Sequence, residues 1–152
     1  MKSQLVFSLL MLLLFAVGCG QIKVEGKVTF PDGTPLHKGK VAFEDEQHTF
    51  TANIREDGTF RMGMVKDGEG IPAGHYKVAI IGALDEKYAD DLLKNPFPEI
   101  TYLIAKKFSS SKTSGIEYDV QKKITDILII VEPPSPSEEK KKMPTLPKTL
   151  RK

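Results

Sequence analysis

The chain has almost none of the residue that staples small secreted domains. One cysteine in 152 residues excludes any disulfide within the chain, so the fold must rest on packing and backbone pairing. Tryptophan is absent and the four tyrosines are scattered, which gives little support to an aromatic binding platform. Long apolar runs are also missing. The longest, 5–17, is broken only by Ser8 and would rise about 20 Å as a helix, short of the ~30 Å hydrocarbon core of a bilayer. The three histidines, His37, His48 and His75, show no short paired spacing that lets two ligands face one metal, so no metal or cofactor is implied. Basic residues are not gathered on the body of the chain, as a nucleic-acid footprint would require. The net charge is +2, but residues 133–152 carry six Lys/Arg against two Glu. Subtracting that segment and Lys2 leaves 19–132 at about −3.

What is present begins with a leader. Lys2 and the amino terminus are followed by the apolar run, then by Ala16-Val17-Gly18-Cys19-Gly20. A positive start, a short apolar stretch and small residues at its end mark a cleaved secretory signal over 1–18. An odd cysteine in an oxidising compartment is a liability unless it has a role. The segment Ala16-Val17-Gly18-Cys19 resembles the lipobox of bacterial lipoproteins, with Ala16 where leucine is commoner. That resemblance implies cleavage before Cys19 and acylation of its thiol by a diacylglyceryl group, with an N-acyl chain such as palmitate on the new terminus. Two chains hold a protein to a bilayer where one binds only marginally. Gly20 is not the aspartate associated with inner-membrane retention, so outer-membrane placement is expected.

From Ile22 the sequence reads as short β-type runs separated by turns, one domain over 19–132. Residues 22–30 alternate apolar and polar with period two, and Pro31-Asp32-Gly33-Thr34-Pro35 follows as a turn. Strands are predicted over 41–44, 49–54 and 59–62. Asp57-Gly58 between the last two is the clearest hairpin signal in the chain. After the loop 68–74, residues 75–81 give the strongest strand, with an apolar end that suggests burial on both faces. Residues 115–120 and 124–131 are expected to close the fold as a strand pair. About seven strands, recurring every 8 to 12 residues, favour a sandwich or barrel.

Two segments break the rhythm. Over 84–94, Leu84, Tyr88 and Leu92 fall at helical spacing among acids, predicting a short amphipathic helix or an irregular acidic loop ended by Asn95-Pro96. Residues 98–108 read as extended and Ser109 to Ser111 as a flexible loop. Residues 133–152 hold five prolines and the run Lys140-Lys141-Lys142, and bury too little to offset ordering entropy, so a disordered tail is expected there.

The ordered set Val24-Glu25-Gly26-Lys27-Val28-Thr29, Asp32-Gly33-Thr34-Pro35-Leu36, Gly39-Lys40-Val41-Ala42-Phe43, Glu56-Asp57-Gly58-Thr59-Phe60 and Ile71-Pro72-Ala73-Gly74-His75-Tyr76-Lys77-Val78 is similar to small bacterial lipoproteins. These carry a carboxypeptidase regulatory-like, transthyretin-like β-sandwich. Ile104 to Phe108, with Ala105 where proline is usual, and Thr113-Ser114-Gly115-Ile116 extend the match across 19–132. The resemblance implies an all-β, seven-stranded Greek-key prealbumin-like sandwich without catalytic residues.

Individual motifs point the same way. Ser109 to Ser111 lack the Gly-x-Ser-x-Gly setting of an exposed nucleophile. Asp32-Gly33 and Asp57-Gly58 supply too few oxygens for a calcium loop. Glu44-Asp45-Glu46 would gather a cation only with Glu56 or Asp57 across a hairpin. The Tyr-Arg-Gly-Ser ending of the urate-pathway hydrolase is absent, and the last strand offers Asp126 where cross-linking sandwiches place asparagine. The expected function is a lipid-anchored, non-enzymatic module of the bacterial cell envelope, structural or interacting. It would meet the membrane through its lipid, with an envelope glycan or protein as further partner and no nucleic acid, facing the periplasm or the cell surface. The alternative is a polysaccharide- or peptide-binding lipoprotein using the 84–98 insertion, with Tyr88 and Phe97 in contact.

Overall fold

Alternating burial turns the short apolar-polar runs into strands. The computed structural model describes residues 20–63, 68–88 and 98–138. Among them run β1 (Val24–Thr29), β2 (Lys40–Glu44), β3 (Thr49–Asn53), β4 (Thr59–Arg61), β5 (Gly74–Ile81), β6 (Leu84–Lys87), β7 (Glu99–Tyr102), β8 (Ile116–Val120) and β9 (Ile124–Ile130). In β3 the pattern is plain: Phe50 and Ala52 are buried while Thr49, Thr51 and Asn53 face water. Period-two placement of this kind fixes which face of a strand meets the core.

The fold is all-β. One sheet has the order β4-β1-β9, a second β3-β2-β5-β8, and β6 pairs with β7 as a separate hairpin. Every pairing is antiparallel except that of β1 with β9. The two larger sheets share one core: Val24, Val28, Phe60, Ile127 and Ile129 of the first pack with Phe43, Phe50, Tyr76, Val78 and Val120 of the second. Phe43 touches both sides, its ring centroid 6.5 Å from Phe60 and 6.0 Å from Tyr76. The Tyr76 hydroxyl, carried into the interior, donates to the Pro72 carbonyl at 2.9 Å.

Two local devices set the register. In β9 the partners run Val24 with Ile124 and then Gly26 with Ile127, so one extra residue bulges from β9. That insertion changes the phase of the strand and allows both Ile124 and Ile127 to turn inward. Opposite it, β1 carries glycine for a steric reason: a Cβ on Gly26 would stand 2.5 Å from the Ile127 carbonyl oxygen and 2.8 Å from the Phe60 ring.

The outer face of the four-stranded sheet is covered in part. Ala42 and Ala79 stand opposite each other there and are both buried. Their small side chains admit a 3₁₀ turn, Lys106–Ser109, and a single helical turn, Ser111–Ser114, which pack on β5 and β2. Ser114 Oγ donates to the Val78 carbonyl and Ser111 Oγ to Glu44 Oε2. Burial of Val78, Ala79 and Ile80 in succession follows, as the apolar run suggested.

Several sequence expectations need correction. The Ser109–Ser111 stretch is not a free loop: Ser109 ends the 3₁₀ turn, Ser110 caps the helical turn and Ser111 is tied to Glu44 of β2. The helix expected over 84–94 is replaced at its start by β6, because Leu84–Lys87 finds backbone partners in Glu99–Tyr102. The remainder of that expected helix, residues 89–94, lies outside the described residues. The Asp57-Gly58 turn forms, with Gly58 N–H donating to the Arg55 carbonyl at 2.8 Å. It joins two sheets instead of closing a hairpin, since β3 pairs with β2 and β4 with β1. The closing strands likewise separate, β8 onto β5 and β9 onto β1.

Candidate functional site

Cys19, the residue on which the sequence reading turns, lies outside the described residues, but the chain is fixed just after it. Ile22 exchanges two backbone hydrogen bonds with Ile71, at 2.7 and 2.9 Å, and the Lys23 carbonyl accepts from Ile124 N–H at 3.0 Å. The first strand therefore starts within a few residues of Cys19, at one pole of the sheets.

The histidines stand apart from one another. His37 is exposed between β1 and β2. His48 lies in the β2–β3 turn, 3.4 Å from Asp45 Oδ1 and stacked on Phe50 at 5.9 Å. His75 sits on the outer face of β5 between two carboxylates of β8, Asp119 at 3.1 Å from Nδ1 and Glu117 at 3.3 Å from Nε2. This bracket was not legible in the sequence, because it depends on the register that sets His75 against Asp119. Among the described residues no three His, Cys, Asp or Glu converge as metal ligands.

Three aspartates serve as turn braces. Asp32 Oδ1 accepts from Thr34 N–H at 2.9 Å; Asp45 Oδ1 from Gln47 and His48 N–H at 2.7 and 2.6 Å; Asp57 Oδ1 from Thr59 N–H and Oγ1 at 2.9 and 2.7 Å. Hydrogen bonds to the ionised form hold each carboxyl below its ordinary value of 3.8. The idea of a cation held by Glu44, Asp45 and Glu46 together with Glu56 or Asp57 fails on geometry. The two groups flank opposite ends of β3, about 17 Å apart along an extended strand.

Two depressions stand out among the described residues. One, about 410 Å³, lies on the outer face of the three-stranded sheet and is lined by Glu25, Lys27, Arg55, Asp57, Arg61 and Asp126 among others. Buried Glu25 Oε1 accepts no aligned hydrogen bond, but Lys23 Nζ at 3.0 Å and Arg61 Nε at 3.3 Å compensate its charge. The other, about 500 Å³, lies beside the helical turn and includes Glu44, Asp45, Glu46, His75, Lys77 and Ser111. Both offer ionic and hydrogen-bonding groups of either sign, suited to holding a polar chain or glycan. Among the described residues the large apolar side chains that stand more than half exposed are Tyr88 at the end of β6 and Leu128 and Ile130 on β9. Tyr88 stands where the sequence placed it, on the 84–98 insertion; Phe97 lies outside the described residues. The candidate sites are thus surfaces, not a buried centre. The chain matches no protein-family model, no curated protein and no solved structure.

Proposed function

We propose that this chain is a lipid-anchored, non-enzymatic module of the bacterial cell envelope, held to a membrane by acyl chains on Cys19 and serving a structural or interacting role. The observation that carries the reading is the closeness in sequence of Cys19 to Ile22, which two backbone hydrogen bonds to Ile71 fix in the fold. A lipidated terminus there would seat the folded body directly on the bilayer. We further propose that the body is a prealbumin-like Greek-key sandwich of seven strands, with β6–β7 as an inserted hairpin. The division into β4-β1-β9 and β3-β2-β5-β8 supports it, as do the connections that pass between sheets after β1, β3, β4 and β8.

The test is the intact mass of protein extracted from membranes, wild type against Cys19→Ser. Wild type is expected to begin at Cys19 and carry a lipid-sized increment that the variant lacks. An unmodified mature chain would reject the anchor, and with it the placement in the outer membrane.

Exposure of Tyr88 favours a second reading, that of a glycan- or peptide-binding lipoprotein acting through the inserted hairpin. Binding on glycan and peptide arrays that is abolished by Tyr88→Ala and Phe97→Ala would support it. Binding indifferent to both changes would remove this surface from consideration.

A further inference from the structure

The outer strands of the two large sheets differ in what they offer a passing chain. β4 is three residues long and carries Arg61; the outward residues of β3 are Thr49, Thr51 and Asn53, and those of β8 are the acids Glu117 and Asp119 that flank His75. Short length and charge keep an edge from pairing. The second half of β9 has neither. That strand runs seven residues, Ile124–Ile130, and Leu128 and Ile130 stand 56% and 52% exposed on its outward face.

The backbone is open in the same place. Ile124 N–H donates to the Lys23 carbonyl and Val131 N–H to the Thr29 carbonyl, both towards β1. Alternate residues turn their polar groups to opposite sides, so counting back from Val131, Ile129 and Ile127 also face β1. Leu128 and Ile130 then direct N–H and C=O to the free edge. Among the described residues no strand takes up these groups. Ile127 and Ile129, buried in the shared core, hold the strand from within.

One charge completes the strip. Asp126 lies exposed within the bulge, two positions before Leu128, and forms no ion pair among the described residues. A second copy of the chain does not supply the missing cation. Every antiparallel register that lays Leu128 or Ile130 against those same residues of another copy sets Asp126 opposite Ile130, Glu132 or Pro134. The strip matches instead an extended segment with two apolar residues at alternate positions and Lys or Arg two further on. Antiparallel pairing places these opposite Ile130, Leu128 and Asp126 in that order.

We infer that the β9 edge is a strand-addition site for such a segment of another protein, bound through the backbone of Leu128 and Ile130 and selected by the charge of Asp126. The site uses neither Tyr88 nor a lipid on Cys19.

The probe is a fluorescein-labelled synthetic peptide in which two valines and then a lysine alternate with threonine, titrated by fluorescence anisotropy into the full chain in neutral detergent. Saturable binding is expected, and Leu128 and Ile130 N–H should gain protection from hydrogen exchange when the peptide binds. N-methylation of both valines removes the N–H groups that would meet Leu128 and Ile130, and should weaken binding roughly tenfold. N-methylation of the intervening threonines, whose N–H groups point away, should leave it unchanged. Asp126→Lys should turn a roughly threefold preference for the lysine peptide over its glutamate counterpart into a preference of similar size for glutamate. Leu128→Lys with Ile130→Lys should weaken binding at least tenfold in a chain whose circular dichroism is unaltered. Binding that tolerates the N-methylated valines, or that survives both lysines, overturns the inference. Protection of Leu128 and Ile130 N–H before peptide is added would show the edge already covered by the chain itself and overturn it equally, as would a dimer that forms along β9 and excludes the peptide. No saturable binding up to the solubility limit of the lysine peptide would refute the site outright.

Discussion

At the scale of single residues, the side chains that first suggest chemistry are occupied in shaping turns. Asp32, Asp45 and Asp57 each accept a hydrogen bond from the N–H two positions on, Asp45 from the next N–H as well, and for Asp57 the Thr59 hydroxyl contributes most to lowering its carboxyl pKa. A carboxyl held lower in the folded state than in the unfolded chain contributes stability that is complete above the ordinary value of 3.8 and is lost as pH falls through the lower folded value. Replacing Asp57 with Asn keeps an oxygen acceptor but removes the titration. The urea midpoint of wild type should therefore drop more steeply than that of Asp57→Asn between pH 5 and pH 2, the two curves running parallel near neutrality. Equal slopes in acid would show that the Thr59 contacts do not favour the ionised form. His75, bracketed by Asp119 and Glu117, illustrates the opposite case: its partners lie more than 40 positions away and owe their nearness wholly to the β5–β8 register.

At the scale of elements, β9 is the exposed seam of the molecule. It forms one edge of its sheet, and among the described residues no strand pairs with its far side. Its outward face presents Leu128 and Ile130, with Asp126 as its one charge. Open apolar edges are templates for strand addition unless a charge or proline blunts them. Antiparallel pairing of two β9 edges would direct the two N-terminal poles opposite ways, so copies anchored in one bilayer could not join in that manner. Unlipidated Cys19→Ser protein should therefore self-associate with rising concentration by light scattering. Leu128→Lys with Ile130→Lys should suppress this while changing stability by no more than about 0.5 kcal/mol per site. Association untouched by the lysines would move the seam elsewhere. The same strand marks what a linear sequence conveys. Runs such as Thr49–Asn53 and Ile124–Ile130 were legible because burial on one face imposes period two. Their partners were not: a turn signal such as Asp57-Gly58 reports a reversal of direction, whereas the choice between pairing back and crossing to the other sheet belongs to the shared core. Leu84–Lys87 misled for a related reason, since Leu84 and Tyr88 have helical spacing while the backbone partner, Glu99–Tyr102, lies beyond the reach of a local pattern. Of the candidate surfaces, Cys19 and the basic segment were apparent from composition; the Glu44–Ser111 contact and the β9 edge were not, because they arise only after the sheets are assembled.

At the scale of the whole molecule, the two large sheets stand or fall together. Neither has a core of its own, for the inward residues of β1, β4 and β9 pack against those of β2, β3, β5 and β8 in one cluster. A single shared interior predicts one cooperative unfolding transition for the described body. Phe43 and Phe60 test this from opposite sides, being fully buried, carried by different sheets and separated by 6.5 Å between ring centroids. Truncation of either to Ala should cost about 3–5 kcal/mol, measured by urea unfolding. Followed by far-ultraviolet circular dichroism and by tyrosine fluorescence, each variant should still melt in one step, because removing a ring from one sheet also takes contacts from the other. The double variant should lose less than the two single losses combined, since the contact between the rings is already gone once either is truncated. Strictly additive losses, or two separated transitions, would mean that the sheets unfold as independent bodies. The pairing of β1 with β9, which run side by side through that common interior, would then be lost while β2 and β5 stayed paired.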